Sequence, residues 1–442
     1  MLFNKNTLLF IAAIIAVVLL IVVAIWGLRQ SQLSRAKIVF WGFDDLETLR
    51  PVFKQFSTTY SNIEIDYVQK SPENYEKELL SAMAAGQGPD VYLIRHNWLP
   101  RFQNKTSPLP SSLMTLKNYY DSYVDVAIQD FVFEGNIYAA PWYVDTLALY
   151  WNKDFFNTAG IAQPPKNWDE FLEDVRKLTL KDENGNILRA GTALGTSNIN
   201  NASDILSLLM MQGGAKMTDG TSRAAFNQEI VLNNEQYKPG KAALEFYANF
   251  SNPQSEAYTW NNRMENSLDS FIGGKTAMVI EYSDVISEIS AKSPYLNFSV
   301  AQIPQVKETN VAISYADYWG GAVWSGSKNP NEAWTFVLWM AGAEGQKRYL
   351  ETIKKPVSRR DLVSWQENDP ALGIFAKQSL SARSWYQVDD EAIKNIFLQM
   401  IDSVFYNNAT ADEAIERAAN QVNVLMEEAK KKSQGGGFNS PF

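Results

Sequence analysis

The sequence contains no cysteine, and this absence removes several kinds of chemistry. Disulfide bonds, thiolate metal sites and a cysteine nucleophile are excluded, and so is the lipid anchor that bacterial lipoproteins attach to a cysteine. Histidine is almost as scarce, since His96 is the only one. A zinc site with several histidines is therefore excluded, and a Ser-His-Asp triad would have to use His96. We expect neither a metal nor a cofactor.

Positive charge is also scarce for a chain of 442 residues. Lysine and arginine number 40 against 49 acidic residues, which gives a net charge of −9. Proteins that bind nucleic acid neutralise phosphates with clustered Lys and Arg, so we expect no nucleic-acid partner. Hydrophobic residues make up 46% of the chain and charged residues 20%, as in a globular protein. At this length we expect two lobes rather than one core.

One long hydrophobic run stands near the start of the chain. Leu8–Ile25 contains only apolar residues, and at ~1.5 Å per residue it would span ~27 Å of a hydrocarbon layer about 30 Å thick. We therefore predict that an N-terminal transmembrane helix within residues 1–30 anchors the protein, followed by a linker at 31–36. A secretory signal peptide stays open as an alternative, because Ser34 and Ala36 fit the small-residue positions of a cleavage site.

Strands and helices alternate after the linker. Lys37–Trp41, Ile63–Val68 and Val91–Ile94 have the apolar, β-branched character of strands. Between them, apolar residues recur at helical spacing from Leu46 to Phe56 and from Tyr75 to Met83. This alternation predicts an α/β fold with a largely parallel sheet and helices on both faces.

Later segments carry signals for where helices begin and end. Asn167 and Asn329 each precede a glutamate by three residues, which is the pattern of a capping box. The stretch 391–432 is predicted to be helical. The Gly-rich residues 433–442 are predicted to form a flexible tail.

Several segments, in a fixed order along the chain, carry a resemblance to a known family. They are Tyr75–Val91 (YEKELLSAMAAGQGPDV), Gly135–Phe171 with its Gly-x-x-Tyr-x-x-Pro and Trp-Asp-Glu-Phe elements, Phe271–Ile280 (FIGGKTAMVI), Gly320-Gly321 and Ser327–Phe336 (SKNPNEAWTF). In these segments the chain resembles the extracellular solute-binding proteins of ABC importers, the family of the maltose- and oligosaccharide-binding receptors. The matches are spread over nearly all of 37–432.

The resemblance implies a two-lobed, periplasmic-binding-protein-like fold of type II, with a hinge and a ligand cleft. It implies that lobe I comprises 37–145 and 275–328, and that lobe II comprises 146–274 and 329–432. The implied function is that of a receptor rather than an enzyme. It would capture a small polar solute, a sugar or oligosaccharide, and deliver it to the membrane subunits of an ABC permease. We expect a monomer outside the cytoplasm.

The charges around the hydrophobic run disagree with that location. Lys5 is the only side-chain cation before the run, whereas Arg29, Arg35 and Lys37 follow it. The positive-inside rule alone would place the body of the protein in the cytoplasm. We follow the resemblance and expect an extracytoplasmic receptor, held to the cell membrane by its N-terminal helix.

The strands indicate where a ligand would bind. Ligands of open α/β sheets lie beyond the carboxyl ends of the strands. The residues there and between the lobes are carboxylates, amides and aromatic rings, which suit a polyhydroxylated solute. The candidate ligand-binding residues are Asp44, Asp45, Arg95, His96, Asn97, Trp142, Asp145, Thr196, Asn198, Asn201, Trp319, Gly320 and Trp385.

Tyr282 joins this set through the resemblance. Many carbohydrate-binding relatives place a Gly-x-Trp after the Ala-Met strand, and that Trp stacks on sugar. Here Glu281 and Tyr282 follow the strand, so Tyr282 would substitute for the missing Trp. Structural roles stay open for several candidates: Asp44 or Asp45 would cap the first helix, and His96 would be a hydrogen-bonded structural residue.

Two other functions remain as alternatives. A secreted carbohydrate-active hydrolase would need two carboxylates ~5–9.5 Å apart across a scissile bond, and no hydrolase motif is present in the sequence. A sensor or adhesion module would use the same fold without transport, since a fold does not fix a function.

Overall fold

The computed structural model describes residues 35–435, apart from 221–222, 233, 308 and 310, and before residue 35 it describes only Val18. For 432–435 it describes the backbone alone. Apart from Val18, the predicted anchor at 1–30 lies outside the described residues, and so do 31–34 of the linker and 436–442 of the tail. Within the described part of the chain, no helix has both the length and the apolar character needed to cross a bilayer.

Short strands and helices alternate along the described chain. The strands are β1 (Ala36–Gly42), β2 (Ile63–Gln69), β3 (Val91–Arg95), β4 (Val132–Phe133), β5 (Asn136–Ile137), β6 (Ala140–Pro141), β7 (Asp145–Thr146), β8 (Ala148–Asn152), β9 (Leu180–Lys181), β10 (Ile187–Arg189), β11 (Ile230–Leu232), β12 (Glu235–Tyr237), β13 (Met278–Glu281), β14 (Phe298–Ala301), β15 (Ser314–Asp317), β16 (Trp319–Val323) and β17 (Ala382–Arg383).

The helices lie between these strands and dominate the end of the chain. They are α1 (Leu46–Thr59), α2 (Tyr75–Ala84), α3 (Leu99–Phe102), α4 (Leu116–Ser122), α5 (Asp125–Phe131), α6 (Lys153–Thr158), α7 (Trp168–Leu178), α8 (Ala202–Gln212), α9 (Pro239–Asn249), α10 (Ser267–Ile272), α11 (Val285–Lys292), α12 (Pro330–Ala341), α13 (Ala343–Ile353), α14 (Val363–Gln366), α15 (Gly373–Gln378), α16 (Asp390–Phe405) and α17 (Ala411–Gly435). Single 3-10 turns occur at Pro72–Asn74, Gln103–Lys105, Arg360–Leu362 and Ser379–Ser381.

A five-stranded sheet in the order β2-β1-β3-β16-β6 forms the centre of the first core. β1 is parallel to both β2 and β3, as the alternating pattern predicted. β16 is antiparallel to its neighbours β3 and β6, so the expectation of a largely parallel sheet holds for one side only. Ile38 and Phe40 of β1 are buried against Val52 and Phe56 of α1. α12 adds Phe336, whose ring lies 5.5 Å from that of Phe40.

A second core surrounds β8, which has antiparallel neighbours on both sides, β13 and β14. Leu149 and Tyr150 of β8 are fully buried there, together with Phe171 of α7 and Phe397 of α16. The chain leaves the first core after Val144 and returns to it at Ala316. At this crossing β7 and β15 pair, with Asp145 opposite Asp317.

The predicted lobe boundaries are wrong for two segments. Lobe I was predicted to include 275–328, but β13 and β14 pair with β8 and therefore belong to the second core. Lobe II was predicted to begin again at 329, but α12 and α13 bury Trp334 and Tyr349 in the first core. In both cases strand pairing or an apolar helix face, rather than position in the chain, decides which core a segment joins.

Most of the local predictions are confirmed, with three corrections. The Asn167 side chain accepts a hydrogen bond from the Glu170 amide at 2.9 Å, so α7 has the predicted cap. The Asn329 side chain makes no such bond to α12 within the described structure. The helical stretch predicted for 391–432 is interrupted at 406–410 between α16 and α17. α17 continues to Gly435, so the first residues of the predicted tail are helical.

Candidate functional site

The ends of three strands meet where the first core faces the second. Trp319 begins β16 directly opposite Arg95, the last residue of β3, and Phe43 follows β1. The half-buried Trp319 ring packs edge-on against Phe43 at 4.8 Å and against Trp98 at 5.1 Å. The rule that ligands lie beyond strand ends therefore points to a surface with both aromatic and charged groups.

Arg95 contacts two carboxylates from distant parts of the chain. Its Nε and Nη2 atoms each donate a hydrogen bond to Asp317 at 2.8 Å, and its Nη1 atom donates one to Asp390 at 3.0 Å. Burial acts to raise the pKa of Asp317, but the Arg95 guanidinium outweighs burial and lowers that pKa. The Asp390 pKa is also lowered, because Arg101 and Arg95 outweigh its burial. Arg95 is therefore neutralised by the protein itself.

The His96 imidazole lies between two carboxylates. Nδ1 is 3.4 Å from Asp130, Nε2 is 3.6 Å from Asp317, and the ring stacks on Tyr318 with centroids 5.2 Å apart. Only 3% of His96 is exposed. These distances are too long for strong hydrogen bonds, and the described residues offer Nδ1 no hydrogen-bond partner.

A cavity of about 240 Å³ opens beside His96, between the two cores. Asn97 and Gln129 line it from the first core, and Trp385 and Gln387 line it from the opposite side. Three buried atoms of its lining residues, His96 Nδ1, Asn97 Oδ1 and Trp385 Nε1, have no hydrogen-bond partner in the part of the chain that the structure describes. An unsatisfied buried polar atom costs about 1–3 kcal/mol. A ligand with hydroxyl groups, which both donate and accept, is suited to such atoms.

Amide side chains connect the two walls of this cavity. Asn97 Nδ2 donates to Gln387 Oε1 at 3.1 Å, and Gln387 Nε2 donates to the Tyr315 hydroxyl at 3.3 Å. Gln129 Nε2 donates to the Ser384 carbonyl at 3.0 Å. A solute that enters between these amides contacts both cores at once.

Asp145 lies at the crossing of the chain and is 2% exposed. The Ser283 hydroxyl donates to its Oδ2 atom at 2.6 Å, and Lys355 Nζ lies 3.1 Å from the same atom. Burial acts to lower the pKa of Lys355, but the charges of Asp145 and Asp284 outweigh it and raise that pKa. Asp145 is thus fully engaged in joining the cores.

Tyr282, predicted to replace a sugar-stacking Trp, contacts a carboxylate instead. Its hydroxyl donates to Asp204 Oδ2 at 2.8 Å, and the residue is 7% exposed. Burial raises the pKa of Asp204, and the nearby charge of Asp317 raises it further. Tyr282 therefore directs its hydroxyl, rather than an open ring face, towards Asp204, whose charge interacts with those of Asp317 and Arg95.

Trp142 and Gly320, both predicted to contact the ligand, have structural roles in the first core. Trp142 is 1% exposed, and its Nε1 atom donates to the Val337 carbonyl inside the first core at 3.3 Å. A Cβ atom on Gly320 would lie 2.7 Å from the Ala140 carbonyl oxygen and 2.8 Å from the Phe131 ring. The sheet itself therefore requires a glycine there.

Several other candidates have local roles. Asp45 is exposed and caps α1 by accepting from the Glu47 amide at 3.1 Å, so the capping alternative is correct for Asp45 rather than Asp44. Asp44 accepts from the Tyr349 hydroxyl at 2.8 Å. In the second core, the buried Thr196 hydroxyl donates to the exposed Asn198 at 2.5 Å, and Asn201, with a left-handed φ of 57°, donates to Glu281 at 2.6 Å.

Sequence reasoning missed Asp204, Asp317, Lys355, Gln387 and Asp390. Asp317 stands two residues before Trp319, so the same strand-end rule could have found it. No local pattern connects Asp390 to Arg95, because the two residues are 295 positions apart. Among the described side chains, no group of three or more His, Asp or Glu residues is arranged to hold a metal ion.

Comparison with known proteins agrees with this architecture. The family described as bacterial extracellular solute-binding protein matches residues 42–347, more than half of the chain. The maltodextrin-binding protein MdxE of Bacillus subtilis is 25% identical over 407 residues, covering 87% of this chain and 89% of MdxE.

Solved structures show the same fold. The sugar-binding protein MalE of Xanthomonas citri superposes with a TM-score of 0.76 at 19% identity, covering 90% of this chain and 99% of that one. The cyclic alpha-maltosyl-1,6-maltose binding protein of Arthrobacter globiformis gives 0.74 at 17% identity, with coverages of 89% and 100%. From the family match and this shared architecture, the chain belongs to the bacterial extracellular solute-binding proteins.

Proposed function

We propose that the protein is an extracytoplasmic receptor that binds a neutral saccharide in the cavity between its two cores and releases it unaltered. The observation that supports this most strongly is a cavity between the cores whose lining residues His96, Asn97 and Trp385 each carry a buried polar atom without a partner among the described residues. Saccharide hydroxyls can both donate to and accept from polar groups of this kind.

The charges around the cavity favour a neutral solute over a phosphorylated one. The described residues that line it include Asp130 but neither Lys nor Arg. Arg95, which precedes the lining residue His96, already pairs with two carboxylates. A phosphate group would enter this cavity without a free cation to compensate its charge, which is unfavourable in a buried site.

Delivery of the bound solute to a permease is the second part of the proposal. The two cores would act as lobes that close on the solute, and the closed form would be the one that the membrane subunits of an ABC permease recognise. The hydrophobic run within residues 1–30 would hold the receptor at the membrane and so raise its effective concentration near the permease. Two relatives with sugar-binding names and the family match support this proposal.

A binding assay on the full chain tests the proposal. The protein is kept in a detergent with a polyoxyethylene headgroup, because a maltoside headgroup would compete for a sugar site. Calorimetry and thermal unfolding are then measured with maltose, maltotriose, mannobiose and glucose 6-phosphate. We expect a neutral saccharide to raise the melting temperature by mass action, glucose 6-phosphate to have no effect, and the saccharide to be recovered intact. Hydrolysis products, or binding of the phosphate alone, would contradict the proposal.

A second assay addresses the anchor. Cells that express the full chain are compared with cells in which residues 1–25 are replaced by a cleavable signal peptide. We expect the full chain to sediment with membranes and be digested by protease added outside the inner membrane, and the replaced form to be soluble. A full chain that resists external protease in intact spheroplasts would place the body on the cytoplasmic side.

A further inference from the structure

Asp390 of the second core is held by donors from the first core on both of its carboxylate oxygens. Oδ2 accepts from Arg95 Nη1 at 3.0 Å and from Trp98 Nε1 at 3.3 Å, while Oδ1 accepts from Arg101 Nη2 at 2.8 Å. Arg101 also donates to the Val388 carbonyl at 3.1 Å. We call Asp390 with Arg95, Trp98 and Arg101 the Asp390 clasp.

The hydrogen bonds of Asp390 are not needed to cap the N-terminus of α16. The N-cap of α16 is Asp389, whose side chain accepts from the Ala392 amide at 3.0 Å. Asp390 is the next residue, and a carboxylate in a first turn gains only a little from the helix dipole. Its side chain is 13% exposed, against 31% for Arg95 and 23% for Arg101. The group is therefore an ion network between the cores, largely withdrawn from solvent.

The clasp is continuous with the cavity on both of its walls. On the first wall, His96 and Asn97 of the cavity are bracketed by Arg95 and Trp98 of the clasp. On the second wall, the cavity residues Trp385 and Gln387 precede Asp390 within one short segment. A movement that separates Asp390 from Arg101 therefore also moves Gln387 away from Asn97.

We propose that Asp390 is a positioning residue for solute affinity: the clasp holds the two cores together over the cavity without itself touching the solute. This inference rests on the proposed function for the identity of the solute, but not for the closure. If the closed form is the one that holds the solute, the apparent affinity is proportional to the fraction of protein that is closed. Loss of the clasp lowers that fraction and therefore weakens binding. The loss appears mainly as faster dissociation, because the buried charge pair acts after encounter.

The first test needs no ligand. The absence of native cysteine allows Thr58→Cys on α1 and Ser287→Cys on α11, both exposed, to carry a donor and an acceptor dye without background labelling. Asp390→Asn is compared with the matched control Asp389→Asn, which keeps a good N-cap residue. We expect Asp390→Asn to lower transfer efficiency and the control to match the parent. Equal efficiency in all three proteins would overturn the clasp.

The second test measures binding of whichever neutral saccharide the parent protein takes. We expect Asp390→Asn to raise Kd about tenfold, mostly through koff, and Asp389→Asn to change Kd less than about twofold. An unchanged Kd in Asp390→Asn would refute the coupling even if its melting temperature fell.

Two further outcomes keep the proposals separate. If Asp390→Asn does not fold, Arg101→Gln replaces it and should open the pair of cores in the same dye assay. If no saccharide binds the parent but Asp390→Asn still opens the cores, the proposed function fails while the clasp stands. If a saccharide binds the parent and neither variant changes the dye transfer efficiency, the clasp fails while the proposed function stands.

Discussion

The ammonium nitrogen of Lys355 lies 3.1 Å from Oδ2 of Asp145, the same oxygen to which the Ser283 hydroxyl donates at 2.6 Å. Lys355 follows α13 of the first core, while Ser283 follows β13 of the second. One buried carboxylate therefore joins both cores where the chain crosses between them. Because Asp145 is buried, removing the Lys355 cation should lower the stability of the protein.

We expect Lys355→Met to lower the free energy of unfolding by about 3–5 kcal/mol, because it leaves Asp145 buried without its cation. Chemical denaturation of the full chain measures the effect. Lys354→Met is the matched control, since Lys354 is the exposed neighbour, and it should change stability by less than about 0.5 kcal/mol. Adding Asp145→Asn to Lys355→Met should recover part of the loss. Additive effects of the two substitutions would show that the pair does not interact.

A pH dependence is expected from Glu281, which is 2% exposed and accepts from Asn201 at 2.6 Å. Burial raises the pKa of Glu281 to about 8. The folded state thus favours the protonated acid, and its stabilising contribution is complete below the unfolded pKa of about 4.3. It is lost as the pH rises through 8, by on the order of 5 kcal/mol in total.

The Glu281→Gln variant, which cannot ionise, should therefore show a flatter profile of unfolding free energy between pH 5 and 8. At pH 8 it should be more stable than the parent. Glu351→Gln, at an exposed position on α13, serves as the control and should keep the parent profile. Parallel profiles for the parent and Glu281→Gln would mean that Glu281 is ionised in the folded protein throughout this range.

Asn97→Leu should separate binding from stability. The substitution removes a buried amide oxygen that has no partner among the described residues, and it also removes the bond to Gln387. These effects oppose each other, so we expect the free energy of unfolding to change by less than about 1 kcal/mol. Saccharide affinity should fall more than about tenfold, because a cavity wall loses its polar group. The exposed neighbour Asn104→Leu should bind like the parent.

Gly320→Ala should affect stability rather than binding. The added methyl group would collide with the Ala140 carbonyl and the Phe131 ring, and overpacking of this kind costs about 1–3 kcal/mol. Thermal unfolding should detect a lower melting temperature, while calorimetry on the folded variant should give the parent affinity. A variant with the parent melting temperature and no affinity would instead show that Gly320 contributes to ligand binding.

The first core shows how far local patterns reach. Alternating and helical periodicities located β1, α1, β2, α2 and β3 to within a residue or a few, because each pattern reflects one buried face. The strand-end rule likewise selected Arg95, His96 and Asn97, which lie where the cores face each other.

Contacts distant in sequence set the limit of that reasoning. Local sequence does not specify that β13 pairs with β8, or that α12 packs on β1. Both contacts depend on surfaces that exist only once distant segments have come together. The same holds for Asp390, whose partners Arg95 and Arg101 are nearly 300 positions away. Trp142 was misassigned for a related reason, since an aromatic residue near a crossing looks the same in sequence whether it faces a solute or Phe336.

The order in which the strands pair also has a consequence for biogenesis. β8 at 148–152 acquires its flanking strands only at 278–281 and 298–301, and the first sheet requires 319–323 and then α12. A nascent chain therefore lacks a complete sheet around β8 until residue 301 and a complete first sheet until residue 323, and such remote pairing is slow to form. A polypeptide that folds late stays unfolded during synthesis. A protein-conducting channel that passes only unfolded chains can translocate such a polypeptide across a membrane.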